Sequence, residues 1–128
     1  MLQPGKTRKI TFGSTISTSF SVNRKLDSKL LDEVAEFWKE KNLSIKKKEL
    51  SKSAENGATS MCTLMAEGGT IWTIDFDQYR KIVSVSMMGN GGSVEVFIHM
   101  ELIGGFMSEK DKGKALRLLN EFEAKLSS

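Results

Sequence analysis

His99 is the chain's one histidine, and its neighbourhood is the first place where these residues could do chemistry. Glu95, Phe97, His99 and Glu101 fall at every second position, so in an extended strand they share one face. Two carboxylates flanking an imidazole could hold a divalent cation, or act as a base with its orienting partner. Glu95, His99 and Glu101 are therefore a candidate polar site. No second histidine stands beside them, and no nucleophile motif is tied to them. The plainer reading is a solvated strand face. Asp75 and Asp77, with Glu67 upstream, could act as paired carboxylates. Acids at a strand end beside a turn also serve as ordinary turn formers.

Gly89-Asn90-Gly91-Gly92 has the composition of a phosphate-cradling loop. Such a loop stands between a strand and a helix N-terminus, whereas here strand patterns flank both sides. Gly104-Gly105 precedes a helical pattern but lacks the Gly-Lys-Ser/Thr sequence. Cys62 is the only cysteine, which removes an intrachain disulfide and a cysteine-based zinc site within one chain. In a strand pattern it reads as a small buried hydrophobe. These residues lead us to expect no catalytic centre, no resident metal and no cofactor.

The methionines offer a different chemistry. Met61, Met65, Met87, Met88, Met100 and Met107 are many for 128 residues, and thioethers adapt to irregular apolar shapes. Met61, Met65, Trp72, Phe76, Met87 and Phe122 are expected to face inward together. They form a candidate site for a small apolar ligand, or simply a core. Ile82, Met88 and Phe97 fall on the opposite face, with Cys62, Leu64 and Ile71 on the matching face of a neighbouring hairpin. So much apolar surface on a second face suggests either that the sheet curves over it or that it packs against another chain, for which a homodimer is a reasonable expectation.

Charge points to a third class of partner. The net charge is +3, yet residues 1–52 carry +6 and residues 53–128 carry −3. Lys46, Lys47, Lys48, Lys52, Arg80 and Lys81 are candidate contacts to a nucleic-acid backbone, which would give a steep salt dependence. The alternative is a lysine-rich solvated strand. No apolar run spans a bilayer, and the basic start, Met1 to Ile10, has no apolar segment after it. A cytoplasmic protein without membrane contact is the expectation.

The elements that must position these groups follow from periodicity. Ile10, Phe12, Ile16, Phe20 and Val22 alternate with Thr11, Thr15, Ser17, Ser19 and Ser21 over residues 8–22, the pattern of one long strand. Leu26, Leu30, Leu31, Val34, Phe37 and Trp38 recur at helical spacing over 27–41, with Asp27 as N-cap and Asn42 as the left-handed stop. Asn56-Gly57, Gly68-Gly69 and Asn90-Gly91 suit tight hairpin turns. About Gly68-Gly69, Met65 would oppose Trp72, Thr63 Ile74 and Met61 Phe76. About Asn90-Gly91, Met87 would oppose Val94, Val85 Val96 and Val83 Ile98. Ile45 and Leu50 differ in parity, so a bulge between them, or a looser strand, is expected. Ala115, Leu116, Leu118, Leu119, Phe122 and Leu126 give the last helix, residues 108–126, its apolar stripe.

Residues 1–7 read as a loose tail and residues 8–128 as one α+β domain. The order β-α-β-β-β-β-β-α predicts a twisted antiparallel sheet of about six strands with two helices on one face. By element order over residues 8–126 this resembles the helix-grip fold of START-like and Bet v 1-like proteins, and the shorter TATA-binding-protein-like repeat. The expected function is that of a non-catalytic binding module for a small apolar ligand or a protein partner. Nucleic-acid binding through the basic half is the alternative, and a small enzyme using His99 with Glu95 or Glu101 the second.

Overall fold

Six strands and two helices follow in the order β1 (Thr7–Ile10), β2 (Thr15–Val22), α1 (Ser28–Glu40), β3 (Ser44–Lys52), β4 (Thr59–Gly68), β5 (Lys81–Asn90), β6 (Ser93–Leu102) and α2 (Glu109–Ser127). The computed structural model describes residues 7–10, 15–52, 59–69, 80–90, 92–103 and 109–127. All strands join one antiparallel sheet in the order β1-β2-β6-β5-β4-β3. The class is α+β.

The expected single strand over 8–22 is instead a hairpin, β1 against β2, with Ile10 opposite Ile16. Period-two alternation continues through a reversal, so periodicity alone could not see it. α1 has the expected ends. Asp27 accepts the Leu30 amide at 2.9 Å. At the other end Asn42 takes φ 67°. There the Asn42 and Leu43 amides donate to the carbonyls of Lys39 and Trp38, which closes the helix in a Schellman motif.

The β3–β4 pairing shifts register between Ile45 and Lys47. This is the expected bulge, and it lets Ile45 and Leu50 both pack against the core. β4 departs from expectation. Gly68 pairs with Lys81 and does not turn with Gly69. Both edges of β4 are taken, by β3 and β5, so Met65 lies between Lys47 and Ser84 and cannot also pair with Trp72. The strand expected over 71–77 lies outside the described residues. The inward set of β4 is Cys62, Leu64 and Ala66, not Met61, Thr63 and Met65. Either alternate set is apolar enough to face inward; the ladder to β5 decides, by setting Leu64 against Val85 and Ala66 against Val83.

β5 and β6 turn one residue later than Asn90-Gly91 predicts, pairing Asn90 with Ser93 and Met87 with Val96. A two-residue change of partner preserves facing, so Val83, Val85, Met87, Val94, Val96 and Ile98 are buried as expected. Both helices cover this one face. Phe122 of α2 meets Phe20, Phe37 and Trp38 with ring centroids at 6.1, 5.0 and 5.2 Å, in the tilted and edge-on contacts that aromatic rings favour. Arg24 ties the layers at their edge: it donates to Glu33 on α1 and to the Leu126 carbonyl at the end of α2.

Candidate functional site

Among the described residues the helices stand on one face of the sheet and nothing covers the second, which is called the open face below. The cross-strand register orders its side chains into four rows. Thr15, Glu101, Ile82, Glu67 and Ser44 form the first, and Ser17, His99, Ser84, Met65 and Lys47 the second. Ser19, Phe97, Ser86, Thr63 and Glu49 form the third, and Ser21, Glu95, Met88 and Met61 the fourth.

Three large apolar side chains are exposed among the described residues: Met61 at 52%, Met88 at 42% and Phe97 at 48%. All three stand on this face. Met61 and Met88 are direct cross-strand partners, and Phe97 lies diagonally beside Met88, within reach of a long side chain. Ser17, Ser19, Ser84, Ser86, Phe97 and His99 frame a shallow depression of about 420 Å³.

His99 is exposed, and its Nδ1 lies 2.9 Å from the Ser17 hydroxyl. The Ser21 hydroxyl donates to Glu95. Glu95 and His99 share the face as expected, but four residues along a strand separate them by about 13 Å, too far to ligate one ion. Among the described residues no group of three or more His, Cys, Asp or Glu side chains could hold a metal. The Ser17–His99 pair also lacks the rest of a nucleophilic centre. No carboxylate orients the imidazole among the described residues, and β2, β6 and β5 lie inside the sheet, where the ladders on either side engage their amides. A developing oxyanion would find few free backbone donors. Asp75 and Asp77 lie outside the described residues. Cys62 is buried, and burial pushes its thiol up to about 11, so it stays protonated and weakly nucleophilic near neutrality.

The six residues expected to line one apolar site separate. Met87 and Phe122 are packed in the core, Met61 and Met65 stand on the open face, and Trp72 and Phe76 lie outside the described residues. Gly89 of the glycine-rich stretch has a packing reason. A Cβ there would come within 2.7 Å of Leu26 Cβ, so its lack of side chain lets the chain entering α1 lie against β5. Gly104-Gly105 lies outside the described residues.

The basic run disperses for a reason periodicity contains. β3 is an edge strand, so successive lysines point to opposite sides. Lys48 pairs with Asp32 of α1 at 2.7 Å, Lys47 stands on the open face near Glu49, and Lys46 sits in the bulge. Lysines on an edge also discourage pairing with another sheet. Lys52 ends β3 opposite Ser60. Arg80 pairs with Glu67, and Lys81 is buried beneath the helices.

One crevice joins residues that the sequence keeps far apart. Lys41, Lys81, Lys114 and Arg117 line a space of about 550 Å³ together with Glu40 and Glu121, and Lys41 is paired with Glu121. No described helix is long and apolar enough to cross a membrane. Comparison with protein-family models, with curated proteins and with solved structures finds no match for this chain.

Proposed function

We propose that this protein is a non-catalytic binding module that holds a protein partner on the open face of its sheet. The observation that carries this reading is the shared location of Met61, Met88 and Phe97, the large apolar side chains exposed among the described residues. An apolar patch rimmed by polar groups marks a contact surface. The middle of the face supports the same reading. Between β2 and β4 its two central rows hold Ser17, Ser19, Ser84, Ser86, Thr63, Met65, Phe97 and His99, with no lysine, arginine or carboxylate. Glu49, Glu67, Glu95, Glu101 and Lys47 stand around them. An uncharged centre inside a charged rim is the anatomy of protein interfaces. Flexible methionines and one aromatic ring supply adaptable contact area. A small apolar ligand in the interior has less support, because Phe122 is packed ring against ring with Phe20, Phe37 and Trp38.

Paired baits test the proposal. Wild-type chain and Phe97→Asp are immobilised at equal density, both with native circular dichroism. The proposal expects a protein retained by the wild type and lost from the variant. Equal retention on both contradicts it.

A further inference from the structure

We infer that the partner on the open face is a second copy of this chain, stacked sheet against sheet about a two-fold axis; this deepens the proposed function and rests on it. The area is right. Five strands of eight to ten residues, at about 4.8 Å spacing and about 30 Å length, cover about 700 Å² per copy. Two copies would remove about 1,400 Å² from water, inside the range of about 1,200–2,000 Å² for stable assemblies. The relief is right as well. Serine and threonine make up five of the eight residues in the two central rows between β2 and β4, and such short side chains beside Met65, Phe97 and His99 suit the usual sheet separation of about 10 Å.

The charges indicate how the copies meet. A two-fold axis running across the strands, between the His99 and Phe97 rows, exchanges those rows between copies. Lys47 then faces Glu49 of the partner subunit, and His99 faces Phe97 of the partner subunit. Ile82 falls against Met88 of the partner subunit. Within one chain Lys47 and Glu49 stand 3.8 Å apart, so both signs lie at the same edge and each finds its opposite across the axis. In the outer rows Glu101 faces Glu95 of the partner subunit, the like-charge contact of this arrangement. Aligned sheets cross at about 30°, which offsets facing positions in the outer rows by about one strand spacing, so the two acids do not meet head-on while both rows stay in contact. An isologous contact of this kind closes on itself, so assembly stops at two.

Sedimentation velocity on the full chain at micromolar concentration tests the inference. The wild type sediments with twice the chain mass. Phe97→Asp sediments as a monomer with unchanged circular dichroism. Lys47→Glu weakens self-association about tenfold, and adding Glu49→Lys restores it. A wild-type monomer, or a dimer indifferent to Phe97→Asp, overturns the second copy. The fluorescent dye ANS separates this failure from that of the proposed function. A monomer that binds ANS, and loses it with Phe97→Asp, keeps the open face as a binding surface for another protein. A monomer with no such binding overturns both.

Discussion

On the covered face of the sheet, β2, β4, β5 and β6 turn inward Ile16, Phe20, Leu64, Val85, Met87, Val96 and Ile98, and the helices close over them. On the open face the same strands carry serines, threonines, carboxylates, one histidine, and the exposed Met61, Met88 and Phe97. One backbone thus serves two environments. Side chains on the first face are held by packing, and those on the second are free to be chosen for contact. Phe122 and Phe97 are the clearest pair: the same side chain, one fully buried among rings and one half in water.

Truncation should separate the two most sharply. Phe122→Ala is expected to cost about 3–5 kcal/mol, since it empties a packed site. Phe97→Ala, measured dilute enough to keep the chain monomeric, should change stability by no more than about 0.5 kcal/mol. Urea denaturation of both variants checks this, and equal losses would break the distinction between the faces.

The glycines offer a second contrast. Gly89→Ala drives a Cβ toward Leu26 on the covered side and should cost about 1–3 kcal/mol. Gly92, with nothing within 4 Å of an added Cβ, should accept alanine with a change under about 0.5 kcal/mol. At the start of α1, Asp27→Ala removes the acceptor of the Leu30 amide and should lower stability by about 1 kcal/mol in a thermal melt.

The smallest expected effect is a pH dependence at the rim of the covered side. The hydrogen bonds from Arg24 hold the Glu33 carboxyl below its ordinary range, against the opposing effect of burial. Its folded pKa is therefore lower than its unfolded one. The stabilisation is fully present above the unfolded pKa and is lost as pH falls through the folded value. Because both side chains are partly exposed, the contribution is no more than about 1 kcal/mol. The stability difference between wild type and Arg24→Met should shrink on acidification below about pH 4. A constant difference would contradict the assignment.

Much of this contrast is written in the sequence. The helical stripe, the Asp27 and Asn42 ends of α1 and the inward valines of β5 and β6 follow from spacing and backbone chemistry. The bulge near Lys46 follows from the mismatched parity of Ile45 and Leu50, because only an extra residue turns both inward. β4 was not legible. Cys62, Leu64 and Ala66 compete with Met61 and Met65 for the same face, and local pattern cannot choose between two apolar sets. Partner strands choose, and they are set by pairings distant in sequence. The candidate site shared that fate. Alternation alone places His99, Phe97 and Glu95 on one face, but Ser17 and Ser84 reach His99 only through ladders from other strands. The lysines of β3 looked like one patch in sequence, whereas strand alternation divides them between two sides.

Methionine methyl resonances read the open face most directly. A water-soluble nitroxide is added to chain labelled at its methionine methyls, with Met87 and Met100 as buried references. If this face is a contact surface between copies, Met61 and Met88 stay sharp at high protein concentration and are bleached in Phe97→Asp, while Met87 and Met100 stay sharp in both. Bleaching of Met61 and Met88 to the same extent in the wild type and in Phe97→Asp would contradict that assignment.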